Sequence, residues 1–329
     1  MYERKYHQGN LEELSFLVTG GAGFIGSNIV EYLIKNGAKN VRVLDNFSTG
    51  YKVNLNNYIN YKGFELLEGD ICDYNTCANA VEGIDYVTHQ AALGSVPRSI
   101  SDPITSNNVN VSGFLNMLVA ARNAKVKRFV YAASSSTYGD HPALPKTEEN
   151  IGNPISPYAI TKYVNELYAE VFSKTYEFHT LGLRYFNIFG PRQNPKGPYA
   201  AVIPLFIQSA LQNEPAIING DGETSRDFTF IENAVQANIK AFFSIIEKHE
   251  VMNIAYGERT TLNQLHQLIN ELSGDSSQPE YRPERKGDVK HSLADITKAK
   301  TVIGYQPTVS LKEGMTLTME TYMAEQTDK

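Results

Sequence analysis

Cysteine is scarce in this chain: two residues in 329, Cys72 and Cys77. They lack CxxC spacing and a second pair, which excludes a cysteine-ligated zinc site and a disulfide framework. Both read as reduced, structurally minor thiols. Basic blocks are missing as well, and the formal net charge is −6. That leaves no electrostatic footprint for nucleic acid or an anionic membrane, while a local arginine cluster for a small anion stays open. No run of 18 apolar residues occurs, so no membrane-spanning helix is expected. The opening residues, Met1-Tyr2-Glu3-Arg4-Lys5-Tyr6-His7, are polar and hold no apolar signal region. The chain is therefore expected in the cytoplasm, where the Asn110-Val111-Ser112 sequon has no meaning for glycosylation. Internal repeats and low-complexity tracts are absent, and no metal is expected.

What is present is an ordinary globular composition, 42% hydrophobic and 20% charged, on a chain long enough for one large or two unequal domains. Short apolar runs alternate with helical patterns through the first half. Strands are predicted at Phe16–Thr19, Val41–Asp45, Phe64–Leu67, Tyr86–His89, Arg128–Ala132 and His179–Tyr185. Helices are predicted at Phe24–Lys35, around Ile104–Asn123 and at about Pro157–Lys174. Such alternation predicts an α/β fold with a Rossmann-type doubly wound parallel sheet. Past Tyr185 the regularity breaks, and Pro191, Pro195, Gly197 and Pro198 mark a long loop of a kind that often serves function. Beyond it a helix is predicted near Ala201–Gln212, strands near Ala216–Asn219 and Asp227–Ile231, and helices near 232–248, 261–272 and 311–325. The expected division is a dinucleotide-binding domain of residues 1–186, also receiving about 227–257, and a smaller α/β substrate domain of 187–226 with 258–329.

The segment Thr19-Gly20-Gly21-Ala22-Gly23-Phe24-Ile25-Gly26 follows the first strand and opens a helix. Glycine there permits a tight turn, lets backbone N–H groups approach a pyrophosphate and allows helix–sheet contact. The helix N-terminus adds positive potential for the phosphates. A glycine triplet alone is a weak signal, ordinarily a structural turn. Here the strand–turn–helix context is met, and Asp45 ends the second strand 19 residues after Gly26. That carboxylate suits a ribose diol and repels a 2′-phosphate, which favours NAD over NADP. Asp70, after the third strand, has two readings: an acceptor for the adenine amino group or a solvated loop carboxylate. His89-Gln90-Ala91-Ala92 ends the fourth strand with small residues that let the backbone approach a cofactor, and His89 itself reads as structural.

Tyr158 and Lys162 stand four apart on a predicted helix and so share a face. Ser134, Ser135 and Ser136 close the strand upstream. An unperturbed tyrosine, with a pKa of about 10, is a poor base at neutral pH. A neighbouring ammonium and an oxidised nicotinamide both favour its phenolate. A serine hydroxyl holds the substrate oxygen or relays its proton. Alone, Tyr-x-x-x-Lys is as well explained by a helix-surface pair. Joined to the glycine motif and the serine-bearing strand end, it marks hydride-transfer chemistry.

Together with the length, these motifs resemble the extended short-chain dehydrogenase/reductases. Within them the chain is similar from end to end to the UDP-galactose 4-epimerases, and most of all to bacterial UDP-N-acetylglucosamine 4-epimerases that prefer N-acetylated sugars. His89–Ser99, Tyr131–Asp140, Leu183–Asn187 and Gly287–Ser292 carry the resemblance. It implies an NAD-dependent isomerase in which Tyr158, helped by Ser134, removes the proton of the C4 hydroxyl while C4 gives hydride to NAD. The 4-keto sugar turns over within the site, and hydride returns to its opposite face. Lys162 completes the catalytic set, and Ser135 is a second candidate for the serine, because the loop to Tyr158 is one residue shorter than in the UDP-galactose enzymes.

The resemblance assigns Gly20, Gly23, Phe24, Ile25, Gly26, Asp45, Asn46, Gly50, Asp70, Ile71, Gln90, Ala91, Ala92, Asn110 and Tyr185 to NAD, beside Tyr158 and Lys162. Gly94, Ser95, Val96, Ser134, Ser135, Ser136, Tyr158 and Asn187 are expected around the sugar nucleotide, and Ala201, Val202 and Asn219 around UDP. Arg226 and Arg285 are expected at the diphosphate, where a planar guanidinium donates in pairs, and Asp288 at the uridine ribose. In the family a bulky residue at the place of Ser292, typically tyrosine, excludes an N-acetyl group; serine leaves room. The expected reaction is therefore reversible conversion of UDP-N-acetylglucosamine to UDP-N-acetylgalactosamine, as polysaccharide biosynthesis uses. A homodimer through a four-helix bundle of the helices near 104–123 and 157–174 is implied too.

Three other readings stand beside this one. A UDP-N-acetylhexosaminuronic acid 4-epimerase needs a partner for a C6 carboxylate, and Arg98 with the Gly94-Ser95 loop is a candidate. A nucleotide-sugar 4,6-dehydratase calls for Thr-Asp-Glu after the strand, where this chain has Ser135-Ser136-Thr137. An inactive NAD-sensing protein typically loses the tyrosine–lysine pair, which this chain keeps.

Overall fold

Every residue of Ser15–Thr19 is buried, as a central parallel strand requires. The computed structural model describes residues 1–195, 200–284 and 289–327. From the N-terminus it runs β1 (Ser15–Thr19), α1 (Phe24–Lys35), β2 (Asn40–Asp45), β3 (Phe64–Glu68), α2 (Tyr74–Ala80), β4 (Tyr86–His89), α3 (Val96–Ser101) and α4 (Pro103–Asn107). Next come α5 (Phe114–Asn123), β5 (Arg128–Ser134), α6 (Pro157–Tyr176), β6 (Thr180–Tyr185), β7 (Ile188–Phe189), α7 (Val202–Gln212), β8 (Ile217–Asn219) and β9 (Ser225–Arg226). The remainder is β10 (Thr229–Phe230), α8 (Ile231–Phe242), β11 (Glu250–Ile254), β12 (Thr260–Thr261), α9 (Leu262–Ser273), β13 (Glu280–Arg282), α10 (Thr297–Ile303) and α11 (Leu311–Thr327).

Seven strands form one parallel sheet in the order β11-β6-β5-β4-β1-β2-β3. This is the α/β Rossmann-type architecture that the strand–helix alternation predicts. Successive strand residues point to opposite faces: Phe16 and Val18 join one hydrophobic cluster, with α1 and α8, while Leu17 joins the other, with α2 and α5. The order reverses at β1, with β2 and β3 on one side and β4, β5, β6 and β11 on the other. Such a switch point opens a crevice at the carboxyl ends of the strands. β7 with β10, β9 with β12 and β8 with β13 make three further two-stranded pairs.

The departures from expectation have local causes. The helix expected around Ile104–Asn123 is interrupted by a π turn at Asn108–Gly113, where a Cβ on Gly113 would meet Ile71 at 2.7 Å. The strand expected over Asp227–Ile231 shortens to β10, because Ile231 already opens α8 and the Asp227 carboxylate takes backbone N–H groups from other segments. The helix expected over 232–248 stops at Phe242. β11, unmarked in the sequence, carries a buried Asn253 whose side chain bonds Tyr138, Lys146 and Asp295, so its polarity hides a core strand. The short helices α2, α3 and α10 also escaped the periodicity. Among the described residues, no helix is long and apolar enough to cross a membrane and no His/Cys/Asp/Glu cluster could hold a metal.

Candidate active site

At the switch point the backbones leaving β1 and β4 nearly touch. Gly20 has φ +66°, and a Cβ there would lie 2.7 Å from the Ala91 nitrogen, so the turn admits only glycine. A cavity of about 610 Å³ opens over it. Gly20, Gly23, Phe24, Ile25 and Gly26 form its floor, Asp45, Asn46, Gly50 and Ile71 one wall, and Gln90, Ala91 and Ala92 the other. Both oxygens of Asp45 accept backbone N–H groups, from Phe47 at 2.8 Å and Ala22 at 2.9 Å. Burial raises its carboxyl pKa against those bonds. Each carboxylate oxygen keeps a lone pair for a further donor.

Two residues expected at NAD stand just behind the cavity lining, bonded to residues in it. Asp70 accepts from Asn46 Nδ2 (2.9 Å) and the Cys72 N–H (2.8 Å) and lies outside the lining, although its neighbours Gly69 and Ile71 are part of it. Asn110 is buried and fastens Leu93 to α6: Oδ1 accepts the Leu93 N–H (2.7 Å), and Nδ2 donates to the Leu93 carbonyl (3.1 Å) and Thr161 Oγ1 (3.2 Å).

The cavity continues past Gly94 and Ser95 to Ser134, Ser135, Tyr158, Lys162 and Tyr185. α6 starts where it does because Ser156 caps it, accepting the Ala159 N–H at 3.1 Å, with Pro157 in the first turn. Tyr158 then falls in the first turn and Lys162 one turn later. Lys162 Nζ donates to the Ala132 carbonyl on β5 at 2.9 Å. Burial lowers its pKa to about 8, against a rise from Glu166. Burial raises the Tyr158 phenol pKa, and the Ser134 hydroxyl opposes that rise. Ser134 Oγ accepts from both the Ser136 N–H (3.1 Å) and the Ser136 hydroxyl (2.9 Å), which leaves its own proton to donate.

Around this core, Tyr185 donates to Gln90 Oε1 at 3.3 Å and accepts from Asn238 Nδ2 at 2.7 Å. Sequence reasoning missed Asn238, on α8, because nothing local marks a distant side chain that orients a cofactor wall. His89 is structural as read: buried, bonded to Thr19 Oγ1 at 2.9 Å, and pushed down to about 3 by burial and the Lys162 charge.

Two more cavities adjoin the first. One, about 310 Å³, is lined by Ala201, Val202, Asn219 and Arg226; the other, about 520 Å³, by Val96, Ser134, Ser135, Ser136, Arg226 and Ser292. Asn187 lines all three and holds φ +39°, a left-handed conformation that asparagine tolerates better than most residues. Gln193 and Lys146 also line the site and were not singled out from sequence. Arg285 and Asp288, expected at the diphosphate and ribose, lie outside the described residues.

A glycine cradle too tight for a Cβ, the Asp45 carboxylate and Tyr158 with the buried Lys162 and Ser134 line one crevice. The chain belongs to the NAD dependent epimerase/dehydratase family. That family's sequence profile matches residues 16–255, from β1 through β11. A UDP-glucose 4-epimerase of Mycolicibacterium smegmatis is 37% identical over 306 residues, covering 92% of this chain and 97% of that one. The structure of the Thermotoga maritima UDP-glucose 4-epimerase with UDP-glucose superposes with a TM-score of 0.90 at 39% identity, covering 95% of this chain and 100% of that chain. The UDP-N-acetylglucosamine 4-epimerase of Methanobrevibacter ruminantium, in complex with UDP-N-acetylmuramic acid, gives a TM-score of 0.90 at 38% identity, covering 95% and 98%. As in the rest of this NAD-dependent family, the cofactor is NAD, and the cradle of Gly20, Gly26 and Ala91 has the form such a dinucleotide needs.

Proposed function

We propose that this NAD-dependent UDP-sugar 4-epimerase interconverts UDP-N-acetylglucosamine and UDP-N-acetylgalactosamine through a 4-keto sugar. The observation that carries the N-acetyl preference is the cavity of about 520 Å³ behind Ser134, whose wall at position 292 is a serine. The Methanobrevibacter relative, named for UDP-N-acetylglucosamine, supports it. NAD held by the Gly20–Gly26 turn and Asp45 would supply a reversible hydride acceptor for the sugar and a positive ring charge that favours the Tyr158 phenolate.

The protein's own groups do the rest. Tyr158 takes the C4 hydroxyl proton, and Ser134, hydrogen-bonded by Ser136, donates to the sugar oxygen. Lys162, with a pKa of about 8, is still mainly an ammonium at neutral pH and supplies positive charge beside them. Arg226, Asn219, Ala201 and Val202 hold UDP, so binding energy is remote from the carbon that reacts and the sugar is free to turn. In this reading residues 1–186 with 227–257 carry NAD and 187–226 with 258–329 carry the sugar nucleotide. The free thiols of Cys72 and Cys77 suit the cytoplasmic location that we assign to it.

One observation favours the uronic acid as a second substrate. Lys146, nearly buried, lines the same cavity as Ser292 and donates to the His141 carbonyl, which sets a cation within the sugar's surroundings. A panel of UDP-N-acetylglucosamine, its C6 carboxylate analogue and UDP-glucose, read by product stereochemistry at C4, decides between them. The N-acetylated neutral sugar is expected to turn over best, with no net NADH; accumulation of a 4-keto-6-deoxy sugar would point to dehydration instead. Ser292→Tyr is expected to lose N-acetylated substrates selectively, and equal weakening of acetylated and plain sugars would remove position 292 as the gate.

A further inference from the structure

Asp227 lines none of the three cavities and is fully buried (0% exposed). Its carboxylate is nevertheless crowded with donors. Oδ1 accepts the N–H groups of Tyr256 and Gly257, and Oδ2 those of Gly257 and Ala294, all at 3.2 Å. The Asp227 carbonyl accepts Asn187 Nδ2 at 3.1 Å, and the Asn187 carbonyl accepts the Thr229 N–H at 3.2 Å. An ionised carboxylate is an acceptor only, which suits a point where amides converge. Burial pushes its pKa up to about 7, and those amides oppose the rise.

The partners share a topological property. The chain leaves the seven-stranded sheet after β6, returns to it through α8 and β11, and leaves again after Ile254. Asn187, Asp227 and Tyr256–Gly257 stand at those three crossings, one at each. The fourth partner, Ala294, follows two residues after Ser292, whose N–H donates to the Ser225 carbonyl at 3.1 Å. Every substrate-side group near this point is thus within two residues of the cluster: Asn187 in it, Arg226 beside it, Ser292 hung from it.

We propose that Asp227 is a positioning residue, its carboxylate clasping the three crossings so that Asn187, Arg226 and Ser292 sit at a fixed reach from the NAD-bearing sheet. This rests on the epimerase reading above. Asparagine in place of Asp227 would turn an N–H₂ group toward amides that already donate, loosening the clasp with little change of volume.

The test uses the full chain with NAD bound. Asp227→Asn is compared with Asn233→Ala, an equally buried anchor whose side chain bonds Thr308 and Val309 instead. Asp227→Asn is expected to keep its NAD content, to weaken UDP binding by about tenfold in calorimetry, roughly the worth of one hydrogen bond, and to raise KM more than it lowers kcat. Asn233→Ala is expected to lower Tm with UDP affinity unchanged. UDP affinity near that of the unaltered protein in Asp227→Asn, or the same loss in both variants, would overturn the proposal. Hydrogen exchange on the unaltered protein tests it without a variant: UDP is expected to slow exchange at Tyr256, Gly257 and Ala294 and not at Thr308 and Val309. No slowing at the first three sites overturns the clasp. An unaltered protein that binds NAD and not UDP would overturn the epimerase reading itself, a distinct result.

Discussion

A phenol packed against protein resists ionisation: Tyr158 faces the cavity, yet burial of its surroundings raises its pKa, with the Ser134 hydroxyl opposing the rise. A base of this kind works when charge arrives with the cofactor, so the resting protein keeps it protonated. Tyr158→Phe is expected to bind UDP-sugar normally and to epimerise about 10²- to 10⁴-fold more slowly, the usual span for loss of a general base. Near-normal turnover, followed by the appearance of the C4 epimer, would remove Tyr158 from the chemistry. At this scale the sequence was legible where chemistry and local spacing coincide. Tyr158 and Lys162 are one helical turn apart, and Asp45 closes a strand beside a glycine turn. Asn238, Gln193 and Lys146 were not legible, since each reaches the site from an element with no motif of its own.

The element that matters most is α6. It carries Tyr158 and Lys162, and a buried ion pair fastens it to β6: Arg184 Nε and Nη2 donate to the two Glu166 oxygens at 2.9 and 2.7 Å. Side-chain exposures of 4% and 6% place the pair out of water. Removing one partner strands the other charge, at a cost of about 3–5 kcal/mol. Glu166→Gln is therefore expected to lower the denaturant midpoint. Because Glu166 also raises the Lys162 pKa from one turn away, the variant should lose the Lys162 proton at lower pH. The alkaline limb of its pH–rate profile is expected to move down; an unmoved limb would separate Glu166 from Lys162. Periodicity announced α6 and most sheet strands. It missed β11 and the π turn at Asn108–Gly113, where a buried asparagine and a glycine packed against Ile71 satisfy tertiary neighbours and break the local pattern.

At the scale of the whole molecule, α6 leaves an apolar stripe uncovered. Ile160, Leu167 and Val171, exposed by 52%, 44% and 54%, follow helical spacing, and Ile100 and Ile104 on α3 and α4 are more exposed still, at 63% and 82%. We propose that a second copy of the chain covers this face. Sedimentation at micromolar concentration is expected to give a dimer, and Ile160→Glu with Val171→Glu a monomer. A monomeric unaltered protein would count against the four-helix interface.

The sequence by itself determined the sheet class, the glycine turn, the acidic strand end and the catalytic helix, because each is written in residues close together along the chain and answers to a local period or a local chemistry. Only the tertiary structure decided that Asn110 braces a loop, that Asp70 pairs with Asn46 of the cavity wall, and that Asp227 gathers three crossings of the chain. Those roles depend on which distant amides and side chains arrive at one buried point, and no spacing within a single segment encodes that arrival.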